Sequence, residues 1–232
     1  MSLGMALSGV ILSFTLTACQ PLPTLPNQTV PMTPQLAYVQ LAEGYLDAGL
    51  LLQAEQAAEQ ASRHRPDHPR VGGLWARLAA LRGDHATAEA LFARHAGSDL
   101  WVAHQFGSYL LARRRPTDAL VYLTSVTTAR TYPARAHAWR ETARAFEMLA
   151  QLEAADHAYG QRRRLRPTDP EAVADWILIA ARRGRTAELD ERIQQAQSDV
   201  EVQLDWDSLF AEVGQIQARF QVLRDGFGVM KH

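Results

Sequence analysis

Apolar residues recur every three or four positions from residue 35 onward, with no sustained alternation of period two. That pattern predicts helix through the whole body of the chain and no strand. Alanine, leucine, arginine and glutamate dominate the stretch, and all are strong helix formers. Glycines and prolines punctuate the periodic segments at intervals, where a helix must stop. Those intervals are regular. Gly49 and Gly83 stand 34 residues apart, Pro66 and Pro133 bracket two helix pairs, and Pro167 closes another. The expectation is an all-α chain of about five helix hairpins followed by one more helix.

The residues inside each unit repeat by type. In residues 35–68, Leu41 and Ala42 form a large–small pair, Tyr45 follows, Gly49 marks a turn, Ala54 and Ala61 recur on the second helix, and Pro66 ends it. The second unit carries Trp75-Ala76, Gly83, Ala88 and Phe92, and the third Phe106-Gly107, Leu110, Ala119 and Leu123. The fourth has Trp139, Ala143, Phe146, Ala155 and Tyr159, and the fifth Trp176, Ala180, Gly184, Leu189 and Ile193. Small residues let paired helices approach, and aromatic ones fill the groove between pairs. The pattern resembles the tetratricopeptide repeat (TPR), whose period is 34 residues. It implies a TPR superhelical solenoid over residues 35–203. No hairpin of such an array buries its apolar face alone, so a cap is required. Residues 204–232 are assigned to a capping helix and tail, with Trp206, Leu209, Phe210, Val213, Phe220 and Leu223 on one stripe. Two units break the period: Gly83 to Arg114 is 31 residues, and Arg114 to Ala150 is 36. The junction at residues 96–100 is therefore short and the connection at residues 129–134 long.

The N-terminus follows a different logic. Residues 5–18 form an apolar stretch too short to span a bilayer comfortably. It ends in Leu16-Thr17-Ala18-Cys19, which resembles the bacterial lipobox. The resemblance implies a signal peptide over residues 1–18, a covalent lipid on Cys19, and anchorage in a membrane. Each buried methylene contributes about 0.8 kcal/mol, so several acyl chains make a lasting anchor. Gln20, in place of the aspartate that retains such proteins at the inner membrane, implies the periplasmic face of the outer membrane. The segment before Cys19 carries no Lys or Arg, unlike an ordinary secretory n-region. Residues 19–34 hold the lipidated cysteine and a tether rich in proline: Pro21, Pro23, Pro26, Pro31 and Pro34. Such a run favours extended polyproline geometry.

Charge and chemistry narrow the function. The net charge is -1, which argues against a nucleic-acid binder. One cysteine excludes an internal disulfide and a cysteine-based zinc site. No phosphate-binding loop, nucleotide-binding glycine motif or nucleophile elbow occurs, so the chain is expected to be no enzyme, with no cofactor beyond the lipid and no small-molecule substrate. His64 and His68 flank Pro66, a weak metal pattern. Asp67, Asp84, Asp99 and Asp169 fall near helix starts, where capping explains them. The runs Arg113-Arg114-Arg115 and Arg162-Arg163-Arg164 read as solvated helix ends favourable to the helix dipole.

The centre of the chain is more specific. It reads His104-Gln105-Phe106-Gly107-Ser108-Tyr109-Leu110-Leu111, then a connection holding Tyr132-Pro133-Ala134-Arg135-Ala136. With the lipobox, tether and repeats, this resembles the type IV pilus biogenesis and stability lipoproteins, the PilW/PilF-type pilotins. Gln105 and Phe106 depart from the Asn-Tyr that family prefers. Leu111 and Phe146 stand where relatives often place a cysteine pair, so packing alone must join the third and fourth repeats. The resemblance implies a secretin subunit as partner, brought to or assembled in the outer membrane for pilus extrusion and twitching motility. An alternative keeps the scaffold and changes the partner: a component of the β-barrel assembly machinery, or a recruiter of peptidoglycan hydrolases. In the TPR register, the groove is lined from first helices by Leu36, Val39, Glu43, Arg77, Trp101, His104, Ser108, His137, Arg140 and Arg144, with Arg182 beyond them. Arginine is frequent in that set. A basic groove taking an acidic or carboxylate-ended segment is the expectation, against a simple solvated face.

Overall fold

Each helix starts and stops where the local chemistry dictates. In the computed structural model, which describes residues 33–199 and 201–228, the order is α1 (Pro34–Asp47), α2 (Leu51–His64), α3 (Pro69–Leu81), α4 (His85–Ala96), α5 (Leu100–Ala112), α6 (Pro116–Thr128), α7 (Arg135–Met148), α8 (Leu152–Leu165), α9 (Pro170–Arg182), α10 (Thr186–Ser198) and α11 (Trp206–Gly228). Among the described residues there is no strand. The signal peptide, Cys19 and the tether up to residue 32 lie outside them. Proline opens α1, α3, α6 and α9, where its missing N–H costs nothing. Pro34 is thus the first residue of α1 and not the last of the tether. Asp84, Asp99 and Asp169 cap α4, α5 and α9 by accepting from backbone N–H groups. Asp67 does not cap. The cap of α3 is His68, whose Nδ1 accepts from the Arg70 N–H at 3.2 Å, because Pro69 already occupies the first helical position.

All five hairpins turn in the same way. A left-handed residue follows the first helix: Gly49 (φ 73°), Gly83 (φ 82°), Arg114 (φ 58°), Ala150 (φ 56°) and Gly184 (φ 69°). The next N–H then reaches back five residues, from Leu50 to Tyr45, Asp84 to Ala79, Arg115 to Leu110, Gln151 to Phe146 and Arg185 to Ala180. This is the Schellman closure, which satisfies the last helical carbonyls. The irregular spacing has two sources: three residues separate α4 from α5 and six separate α6 from α7, and α4 itself is 12 residues long against 14 in α2.

The hairpins stack. The two helices of a pair pack together, and each second helix packs on the first helix of the next pair. First helices also touch one another in the sequence α1, α3, α5, α7, and α9 touches α11. No comparable packing joins the second helices, so the stack closes toward the first-helix side, and that side is the inner face. Alanine sits at the crossings: Ala54, Ala58, Ala88, Ala119, Ala143, Ala155 and Ala180 are fully buried. At Gly107 the approach is closer still, since a Cβ there would lie 2.7 Å from the Leu123 side chain.

Four apolar clusters follow along the stack. Val39, Leu74 and Leu78 anchor one across α1–α3, and Phe92, Phe106, Leu110 and Leu123 one across α3–α7. Tyr159 and Ile179 hold α7, α8 and α9 together, and Val173, Ile177, Leu189, Leu209 and Val213 join α9–α11. Fully burying such a side chain contributes roughly 1.5–3 kcal/mol. Two apolar expectations fail. Leu41 is 44% exposed, because among the described helices α1 packs on α2 and α3. Phe210 is 43% exposed and leans on Trp206 instead of facing α9. The side chains of Phe220 and Leu223 lie outside those described. No described helix is long and apolar enough to cross a membrane.

Candidate protein-binding groove

The inner face is built from side chains of α1, α3, α5, α7 and α9, and charge alternates along it. On α1, Leu36 and Glu43 are half-buried. Burial raises the Glu43 carboxyl above the ordinary glutamate value, while Arg77 and Arg70 pull it back down. Val39 is buried in the same core cluster as Leu74 and Leu78 and so belongs to the core and not to the groove lining. Arg77 pairs with Asp47 across α1 and α3 at 3.4 Å. Arg70, at the start of α3, pairs with the α5 cap Asp99 at 3.1 Å. Trp101 is partly buried over α3, where Gly73 leaves room: a Cβ there would lie 2.8 Å from the indole.

A hydrogen-bonded cluster occupies the middle. His104 on α5 is buried; its Nδ1 shares a hydrogen bond with the Tyr132 hydroxyl at 3.0 Å, and its Nε2 lies 3.1 Å from a Glu141 oxygen of α7 without forming one. Ser108 donates to the other Glu141 oxygen at 2.6 Å. The long connection before α7 therefore bends inward and plants Tyr132 edge-on against the His104 ring. Burial pushes the Tyr132 hydroxyl up to about 12. Ser108 bonds the carboxylate rather than the imidazole. The cluster cross-braces α5 and α7. Leu111 and Phe146 contribute to separate apolar clusters on either side.

Beyond it the arginines are paired. Arg140 bonds Glu171 at 2.9 Å and approaches Asp175 at 3.3 Å. Asp175 also binds Arg162 of α8. Arg162 is 2% exposed and reaches Asp169 and Glu171 as well. It is a buried ion-pair centre, not a solvated helix end, and Arg163 lies over the Trp176 ring at 5.7 Å. Burial raises the Asp175 carboxyl, with Arg162 and Arg140 opposing. Arg182 is held by Glu147 and, at 3.2 Å, by Glu212 of α11. The expected basic face is thus an alternating one, because neighbouring first helices supply a carboxylate to most of its arginines. Only His137 and Arg144 of the expected set are exposed without a partner among the described residues.

The sequence alone does not single out Glu141 or Asp175, and it marks Arg162 only as part of a solvated run. A signal existed for two: Glu141 and Asp175 are 34 residues apart, one repeat, and so share a register. The Arg113–Arg115 run is exposed as expected, with Arg115 on Glu89 at 2.8 Å. His64 stacks on Tyr38 at 5.6 Å and His68 caps α3, which accounts for both rings.

No family model matches this chain, and no curated protein matches it. Solved structures do. PilF of Pseudomonas aeruginosa is similar at 17% identity and a TM-score of 0.61, over 68% of this chain and 73% of its own. PilW, described as a widely conserved type IV pilus biogenesis factor, is 18% identical with a TM-score of 0.61, over 82% of this chain and 91% of its own. MamA of Desulfovibrio magneticus RS-1 is 20% identical with a TM-score of 0.54, over 71% of this chain and 94% of its own. At such identities the likeness establishes a fold, the TPR helical solenoid.

Proposed function

We propose that the chain is a lipid-anchored scaffold at the outer membrane that binds a secretin subunit and promotes its multimerisation for type IV pilus biogenesis, as a pilotin. The observation that carries this reading is the inner face itself. Side chains from successive first helices are ion-paired and cross-braced into a continuous surface. Such a surface is suited to holding a segment of another protein. The lipobox ending at Cys19, the proline-rich tether and the sequence from His104 to Ala136 point the scaffold toward the pilus system, and both PilF and PilW share its fold.

Deletion of the gene tests the proposal. Secretin multimers should disappear from outer-membrane fractions and twitching should stop, and Cys19→Ala should release the protein from the membrane. Normal multimers with normal twitching would remove the pilotin role. MamA of Desulfovibrio magneticus RS-1 shares the fold as well. A pull-down that returns barrel-assembly components or peptidoglycan hydrolases would assign the scaffold to that other adaptor class.

A further inference from the structure

Resting on the reading of the inner face as a protein-binding surface, the inference concerns one cleft within it. Between the ends of α5 and α7 lies a cavity of about 240 Å³, lined by Ser108, Leu111, Ala112, Glu141, Arg144 and Met148. Its apolar wall is open to solvent, with Met148 42% exposed. Its polar wall is unequal. Glu141 has one oxygen accepting from Ser108 and the other 3.1 Å from the His104 Nε2 without a hydrogen bond. Arg144 is exposed and has no partner among the described residues.

That contrast has a structural cause. Arg77, Arg140 and Arg182 each meet a carboxylate on an adjoining helix. In the register of Arg144 the flanking helices offer Ser108 on α5 and Leu178 on α9, neither of them acidic. Nor does Arg144 serve to close its own helix. The last carbonyls of α7 are taken by the backbone, with Leu149 bonding Ala145, Ala150 bonding Glu147 and Gln151 bonding Phe146. The groove therefore presents one guanidinium with its fork free beside an open aliphatic floor.

We infer that this cleft receives a segment of a partner protein in which an aspartate or glutamate side chain lies next to an aliphatic one. The carboxylate takes the Arg144 fork, and the aliphatic side chain covers Met148, Leu111 and Ala112. An internal acidic residue fits better than a chain terminus. The surface continues past the cleft toward α3 on one side and α9 on the other, and the free backbone N–H groups that would cradle a terminal carboxylate are absent at these helix C-termini.

The test is selection of a displayed random-peptide library on the full-length lipidated protein in detergent, with the Arg144→Ala protein selected in parallel. Wild-type selection should enrich acidic–aliphatic pairs, and the Arg144→Ala selection should lose the acidic half. The leading peptide, resynthesised with an amidated C-terminus, should weaken about tenfold on Arg144→Ala. Changing its acidic residue to the amide should weaken binding to the wild type as much, and should cost nothing more on Arg144→Ala. Met148→Asp should also abolish binding, through the floor. Equal binding to wild type and Arg144→Ala, no acidic enrichment, or dependence on a free terminal carboxylate would each overturn the assignment. Secretin takes no part in this experiment, so its outcome stands apart from that of the deletion.

Discussion

Individual charges on the inner face differ in sign of effect according to what surrounds them. Glu43 and Asp175 are both carboxyls raised by burial. Asp175 is gripped by the buried Arg162, so neutralising it would strand a guanidinium that has left water, a costly outcome. Glu43 makes no comparable close pair: Arg77, which pulls on it, is bonded to Asp47. A carboxyl with a raised folded pKa binds its proton more tightly in the folded state. Its contribution is favourable below the ordinary glutamate value and is lost as pH rises through the raised one. Glu43→Gln keeps the shape and removes the charge. Thermal melts should therefore place Glu43→Gln above the wild type at pH 7, with the gap closing as pH falls toward about 4. A gap independent of pH would mean that burial of charge is not the cause.

At the scale of the element, the hairpin turn sets the repeat. Every first helix ends on a left-handed residue, yet only three of the five are glycine. For any other residue that conformation costs about 1–2 kcal/mol. Ala150→Gly should recover roughly 1 kcal/mol, a rise of about 2–4 °C in Tm, and Gly83→Ala should lose a similar amount. Urea or thermal unfolding of the two variants reads both signs, and a destabilised Ala150→Gly would contradict the turn geometry. These turns were legible before any coordinates, because a helix pair of fixed length demands one such residue at a fixed place. Arg114 and Ala150 were legible only by register, since nothing in their chemistry marks them. The cap of α3 falls on His68, one residue past Asp67, because Pro69 opens the helix. Arg162 was illegible for a deeper reason. A run of arginines at a helix end looks solvated until the next helix brings Asp169, Glu171 and Asp175 back onto it. Pairing between elements is not written in either one alone. The same holds for Tyr132, whose place against His104 depends on how the six-residue connection folds inward.

At the scale of the molecule, a stack in which each hairpin touches only its neighbours has stability that is a sum of local terms. The apolar clusters are arranged accordingly, each spanning two or three consecutive helices or hairpins and none spanning the whole. The last of them depends on α11, since Leu209 and Val213 cover Val173, Ile177 and Ala181 on α9. Ion pairs add a second tie at this end. Arg183 and Arg192 draw Asp156 of α8 and Glu188 of α10 together, and Arg192 lies 4.6 Å over the Trp176 ring. Removing residues 204–232 should therefore open α9 and α10, with exposed valine and isoleucine promoting self-association, while α1–α6 stay as they were. Hydrogen exchange separates this from the behaviour of a single cooperative globule. Protection should collapse in α9 and α10, fall partly in α8, and persist in α2–α6. A uniform loss across all ten remaining helices would show that the stack folds as one unit. The groove would then owe its rigidity to the whole chain, and not to the pairwise braces between neighbouring first helices.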